Sequence, residues 1–362
     1  MTWDIFCNVI DNYGDIGVSW RLSRQLAGEY GIPVRLWVDD LQSFIRIHPD
    51  AKPVAVQHCL GVEVRAWGDP FPDVAPGDVV IEAFGCQLPE SFVAAMARTG
   101  PLWINLEYLS AESWVRSAHL MPSPHPRLPL VKHFFFPGFF SDTGGLPVER
   151  GLLGRRDAFL SDPEALSAFW EKVGGKPDSG IAVSLFGYDN PALASLFDAW
   201  AEGGEKVLCL IPESRLADEA KSILGAGLNA GNLEARILPF FPQTEYDPLL
   251  WACDVNFVRG EDSFVRAQWA AKPFVWQIYP QRDGIHMEKL DAFLDLYCEG
   301  RAFEAPARRL WHAWNRGGDA GAAWAAFRGA FGEISGHGRG WADRLSGHSL
   351  AAALLDYSLK KG

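Results

Sequence analysis

The chain has 362 residues, 48% hydrophobic and 22% charged, with 15 tryptophans and 23 phenylalanines, a globular composition that argues against intrinsic disorder and gives enough length for two cores. Its formal charge of −12 argues against nucleic acid, which is held through clustered lysine and arginine. Six cysteines stand apart without a C-x-x-C pair, and no apolar run approaches the roughly 20 residues that span a bilayer; buried thiols, no membrane and a cytoplasmic location are expected.

Taken in order, the apolar run 3–9 reads as a buried parallel strand. A helix opens near Ile16, where Val18, Leu22 and Leu26 recur at helical spacing up to a stop at Gly31. Apolar runs at 34–38, 79–83 and 102–106 then alternate with polar turns and a helical pattern at 88–97, as parallel strands joined by crossovers do. Residues 120–140 carry prolines at 122, 124, 126 and 129 and are expected as a loop followed by a short aromatic strand. Residues 148–163 show no sustained periodicity, and 174–180 are rich in glycine, proline and charge, so a linker is expected between about 161 and 179. The second half repeats the alternation, with strands at 181–186, 207–211, 235–238, 255–258 and 274–277 and helices at 191–201 and 216–224. Helix-like segments at 290–296, 308–314, 322–331 and 341–359 end the chain. Two doubly wound α/β domains follow, 1–165 and 176–340.

Two turns carry chemistry. In Ile10-Asp11-Asn12-Tyr13-Gly14-Asp15-Ile16-Gly17, two carboxylates four residues apart sit between a strand and a helix, at the strand end where open α/β sheets place their ligands. Asp15 could equally be a helix N-cap; a phosphate is disfavoured because the turn lacks G-x-G-x-x-G and is negatively charged. In Val255-Asn256-Phe257-Val258-Arg259-Gly260-Glu261-Asp262-Ser263-Phe264, a buried strand opens into a helix whose first N–H groups would seat a diphosphate, with Arg259 adding a full charge; the plainer alternative is that Asp262 or Ser263 caps that helix. No D-x-D and no H-E-x-x-H occurs, prolines separate His119, His125 and His133, and Cys209 and Cys253 lie in apolar runs, so no metal and no thiol nucleophile are expected.

The opening Trp3-Asp4-Ile5-Phe6-Cys7-Asn8-Val9-Ile10-Asp11-Asn12-Tyr13-Gly14-Asp15-Ile16-Gly17 resembles the EarP family of bacterial protein-arginine rhamnosyltransferases that modify elongation factor P. The likeness continues through Asn105-Leu106-Glu107-Tyr108-Leu109-Ser110-Ala111-Glu112, Phe135-Phe136-Pro137-Gly138-Phe139 and the Arg259 to Phe264 turn. It implies the GT-B architecture, two facing Rossmann-like domains, the first binding the acceptor and the second the nucleotide sugar, with 341–362 returning to the first. It implies an inverting, metal-independent transfer of L-rhamnose from TDP-β-L-rhamnose to one arginine of elongation factor P by a monomer. By the same resemblance, Asp15 is the general base and Asp11 its companion. Phe240 stacks on the thymine and Phe186 lines its pocket; Tyr188, Asp262 and Ser263 contact the diphosphate, Glu261 the ribose, and Gly17 joins the donor-binding residues. A binding module that only grips an arginine, or a sugar-nucleotide epimerase of the same architecture, would share part of this pattern.

Overall fold

The computed structural model describes residues 1–10, 13–177 and 179–361, with the side chain of residue 282 left out. Its contacts divide the chain into two units, Met1–Arg150 with Leu345–Gly362, and Gly151–Arg344.

The first unit opens with β1 (Trp3–Cys7), α1 (Gly14–Tyr30), β2 (Val34–Val38), α2 (Leu41–Ile47), β3 (Val56–Cys59), β4 (Val62–Ala66) and β5 (Val79–Ala83). It continues with α3 (Glu90–Thr99), β6 (Leu102–Leu106), α4 (Val115–Ala118), β7 (Pro122–Pro124) and β8 (Val131–Phe135). The eight strands form one sheet in the order β3-β4-β2-β1-β5-β6-β8-β7, parallel except for the edge pairs β3/β4 and β7/β8. Strand β1 is buried along its whole length, and its one charge, Asp4, is satisfied by Arg35 (2.7 and 2.6 Å), the Trp37 indole (2.8 Å) and the Gly77 N–H (2.7 Å). Helix α1 stops at Gly31 in the left-handed conformation (φ 65°), as its glycine and spacing predict. The chain changes direction across the sheet between β1 and β5, with β2 on one side and β5 on the other, so the β1–α1 turn lies at a topological switch point.

The second unit begins with α5 (Leu152–Ser161), α6 (Pro163–Lys172), β9 (Ile181–Leu185), α7 (Leu193–Glu202), β10 (Val207–Pro212) and α8 (Arg215–Leu224). Next come β11 (Asn229–Ala230), β12 (Leu233–Leu238), α9 (Tyr246–Ala252), β13 (Val255–Arg259), α10 (Asp262–Ala270) and β14 (Phe274–Gln277). Helices α11 (Ile285–Cys298), α12 (Glu304–Arg316), α13 (Ala320–Gly329) and α14 (Phe331–Ser346) follow, and α15 (Leu350–Lys361) ends the chain within the first unit. The sheet order is β11-β12-β10-β9-β13-β14, with its switch point between β9 and β13. The aromatic load is spent here on ring packing: Phe264 stacks on Trp276 (3.9 Å), and Phe293 stacks on both Tyr297 (5.4 Å) and Trp311 (5.8 Å).

Three expectations from the sequence are corrected. The division falls at Arg150/Gly151 rather than within 161–179, because the stretch read as aperiodic folds into α5 and α6. Asp162 joins these helices, accepting from Glu164 N (2.9 Å) and Ala165 N (3.2 Å) ahead of Pro163, an N-cap followed by N1 proline. The segment 341–359 is two helices, because the chain turns at Gly347 and His348, and Ser349 bridges to Leu146, with Leu146 N to His348 O (3.1 Å) and Leu350 N to Leu146 O (2.9 Å). The helix start near Ile16 moves to Gly14. Among the described residues no helix is long and apolar enough to cross a membrane.

Candidate active site

In the first unit, Asp39 at the end of β2 holds the chain leaving β1, accepting from Asn8 Nδ2 (2.5 Å) and Val9 N (2.9 Å). Asp15 lies in the first turn of α1 and is not its N-cap; that position is Tyr13, whose side chain makes no capping bond. A carboxylate there is favoured by the helix dipole. Asp15 is 1% exposed and is held from two sides, its Oδ2 accepting from Ile10 N (2.8 Å) and its Oδ1 from the Tyr108 hydroxyl (3.0 Å). Asp11 and Asn12 lie outside the described residues. Gly17 is buried within α1, its N–H bonded to Tyr13 O (2.9 Å).

Tyr108 carried no role in the sequence reading beyond its place in the Asn105 to Glu112 motif, and Phe84 was not singled out. Their rings stack at 4.5 Å with 19° between planes. Asn105, at the end of β6, accepts from Gly85 N (3.1 Å) and donates to Glu107 Oε1 (2.5 Å), tying the β5 corner to the motif. The thiol of Cys7, on the strand leading to this site, is pushed well up by burial, with Asp15 and Asp39 adding to the shift.

In the second unit, β13 ends at Arg259 and turns through Gly260 (φ 58°) into α10. Neither Asp262 nor Ser263 is the N-cap: Glu261 is, without a side-chain capping bond. The Ser263 hydroxyl instead staples the turn to the strand, donating to the Arg259 carbonyl and accepting from Arg259 N (3.1 Å). Asp262 accepts from Gln243 Nε2 (3.1 Å). The Arg259 guanidinium lies over two rings, 4.5 Å from Phe186 and 4.6 Å from Tyr188, so Arg259 and Phe186 straddle the β9/β13 switch point. Tyr188 N is fixed by Gln277 Oε1 (2.8 Å), and Phe240 meets Phe186 edge-on at 6.5 Å. Phe240 is half-buried whereas its neighbour Phe241 joins the core, so only the first of the pair offers a ring. Phe186, Tyr188, Phe240, Arg259, Glu261, Asp262 and Ser263 thus come to one place, the carboxyl end of this sheet.

Tyr246 on α9 packs 6.1 Å from Phe186; burial drives its hydroxyl's pKa up, and among the described residues that hydroxyl has no hydrogen-bond partner. All six cysteines are free and buried, and burial raises Cys209 and Cys253. His119 is pushed down to about 4 by burial and accepts from Phe136 N (3.0 Å), while His125 Nδ1 accepts from Leu128 N (3.0 Å). Both serve local backbone. Among the described residues no group of three or more His, Cys, Asp or Glu comes together as a metal site.

A family model described as Elongation-Factor P (EF-P) rhamnosyltransferase EarP matches residues 3–359. The protein-arginine rhamnosyltransferase of Pseudomonas aeruginosa is 49% identical over 370 residues, covering 98% of each chain. A structure solved as the structural basis for EarP-mediated arginine glycosylation of translation elongation factor EF-P covers 99% of both chains at 37% identity and a TM-score of 0.71. A UDP-glucosyltransferase from Polygonum tinctorium, 11% identical with a TM-score of 0.56 and covering 99% and 98% of the two chains, shares the fold alone. The two doubly wound units are those of the GT-B fold. With the match running over nearly its whole length, the chain belongs to the EarP family of elongation-factor-P rhamnosyltransferases.

Proposed function

We propose that this chain transfers L-rhamnose from TDP-β-L-rhamnose to the guanidinium of one arginine of elongation factor P, with inversion at the anomeric carbon and without a metal. The observation that carries the reading is the 49% identity over 98% of the chain to a protein-arginine rhamnosyltransferase. The two turns give it a physical basis. Arginine is a poor nucleophile, its charge being shared over three nitrogens with a pKa above about 12. Taking its proton in advance with an ordinary carboxylate, about eight units more acidic, would cost on the order of 11 kcal/mol. Proton removal therefore accompanies attack. Asp15 takes that proton and Asp11 helps to grip the guanidinium.

On the donor side, Phe240 stacks on the base beside Phe186, and Glu261 holds the ribose. Tyr188, Asp262, Ser263 and the first N–H groups of α10 hold the diphosphate, and Gly17 belongs to the donor contacts. The leaving diphosphate gains negative charge as the glycosidic bond breaks, and Arg259, pinned between two rings, supplies the fixed positive charge. Intact-mass measurement of elongation factor P incubated with TDP-rhamnose and this protein tests the reading: one deoxyhexose is expected, placed on arginine by fragmentation. Unchanged mass, or a sugar elsewhere, would overturn it.

A further inference from the structure

We propose that Tyr108 is a positioning residue of this reaction, acting through Asp15, and that Phe84 is the seat that holds it. The proposal rests on the reading of Asp15 as the base. Tyr108 donates to one oxygen of that carboxylate at 3.0 Å while Ile10 N donates to the other at 2.8 Å, so the carboxylate plane is fixed from both ends. Phe84, under the Tyr108 ring, sits at φ 58°, a left-handed conformation that a bulky residue keeps only where its surroundings enforce it. Here they do: Phe84 N bonds Leu106 O (2.6 Å), Gly85 N bonds Asn105 Oδ1 (3.1 Å), and Val18 of α1 packs against the Phe84 ring. The ends of β1, β5 and β6 thereby converge on a single carboxylate. Backbone strain at Phe84 is held by the β6 end, the Phe84 ring seats Tyr108, and the Tyr108 hydroxyl orients Asp15.

Orientation matters because the step needs alignment of three events. A guanidinium nitrogen forms the bond to the anomeric carbon, the bond from that carbon to the diphosphate oxygen breaks with its electron pair leaving on TDP, and one N–H proton passes to the carboxylate. A carboxylate free to turn would misalign the last of these, and a misplacement of about 1 Å can cost on the order of a hundredfold.

Tyr108→Phe keeps the stack and removes only the hydroxyl. Its kcat is expected to fall about ten- to a hundredfold while KM for donor and acceptor, and TDP affinity by calorimetry, stay within about twofold. Phe84→Leu, which leaves the hydroxyl and loosens its seat, should show a smaller fall in kcat with the same constancy of KM. If Tyr108→Phe leaves kcat unchanged while Asp15→Asn is impaired, the positioning role is wrong and the base reading stands. A raised acceptor KM with native kcat would mean that Tyr108 grips the acceptor, which also overturns the proposal. Near-native turnover by Asp15→Asn would remove the base reading itself.

Discussion

Each unit places a strand-to-helix turn at the switch point of its doubly wound sheet, but the charged groups differ: the first turn offers carboxylates, the second a guanidinium with Glu261 and Asp262 following it. After β1, a carboxylate enters the first turn of α1 and is held by an amide and a phenol. After β13, a guanidinium stops short of α10 and lies over two aromatic rings. Neither helix has a side-chain N-cap, so in both turns the polar side chains that composition would assign to capping are released for other work. On the proposed reading, one architecture serves two ligands, the acceptor arginine at the first turn and the donor diphosphate at the second. The method of holding differs for a physical reason. A buried carboxylate must receive hydrogen bonds, whereas a planar guanidinium can also be placed by contact with aromatic faces.

The sharpest way to break this comparison is to neutralise the first turn. Asp15→Asn preserves size and removes the proton acceptor, so transfer should slow by about a hundred- to ten-thousandfold, with TDP affinity unchanged within about twofold. Asp11→Asn is expected to be similarly damaging. Initial rates by intact mass, with calorimetry alongside, check both. Native rates in both variants would take this turn out of the chemistry.

Next comes the second turn's charge. Arg259→Met retains an apolar side chain between Phe186 and Tyr188 but no charge, and turnover should fall about a hundred- to a thousandfold, the range for losing one preorganised electrostatic partner of a leaving group. Arg259→Lys keeps the charge without the planar stack and should fall between. A Met variant as active as the parent would mean that the diphosphate charge is met elsewhere.

Much of this was legible beforehand, for reasons that differ by element. Strands β5, β6 and β14 agree with the expected 79–83, 102–106 and 274–277 because fully buried parallel strands are plain apolar runs. The β3–β4 hairpin is not evident in the sequence although Val62, Glu63, Val64 and Arg65 alternate, because its two-residue turn is Leu60-Gly61, both at positive φ (49° and 83°), with leucine at the first position where asparagine or aspartate is the usual sign. In the second turn, Arg259 to Ser263 are contiguous, so a motif finds them, whereas Phe186, Tyr188 and Phe240 are reached only through the family resemblance. Tyr108 reaches Asp15 across 93 residues, and only the sheet order brings them together. Likewise Phe240 and Phe241 differ in burial, which a pair of identical letters cannot express.

A smaller effect sharpens the division of labour. Phe240→Ala forfeits base stacking of roughly 1–3 kcal/mol, about five- to a hundredfold in TDP affinity. Glu261→Ala should lose a charge-assisted hydrogen bond of roughly 1.5–3 kcal/mol. Titrating TDP, which lacks the sugar, into these two variants and into the two aspartate variants separates nucleotide binding from chemistry. If Asp11→Asn and Asp15→Asn lost TDP affinity as badly as the others, the two turns would not divide the work.

The smallest expected effect is that of removing divalent metal: transfer after exhaustive chelation should stay within about twofold of the untreated rate. Transferases that use a metal bring it to the diphosphate through paired aspartates, and this sequence contains no D-x-D. Of the acidic residues in that turn, Asp262 is engaged by Gln243 at 3.1 Å. On the proposed reading, the charge a metal would supply comes from Arg259, at 4.5 and 4.6 Å from two rings and beside a helix N-terminus whose amides add to it. A cation so fixed needs no reorganisation as the leaving group develops charge, which is where such an arrangement gains over a mobile one. Chelation and the Arg259 variants therefore report on the same charge from two directions. Loss of transfer on chelation, restored by magnesium, would assign that charge to a metal and reduce Arg259 to a packing residue.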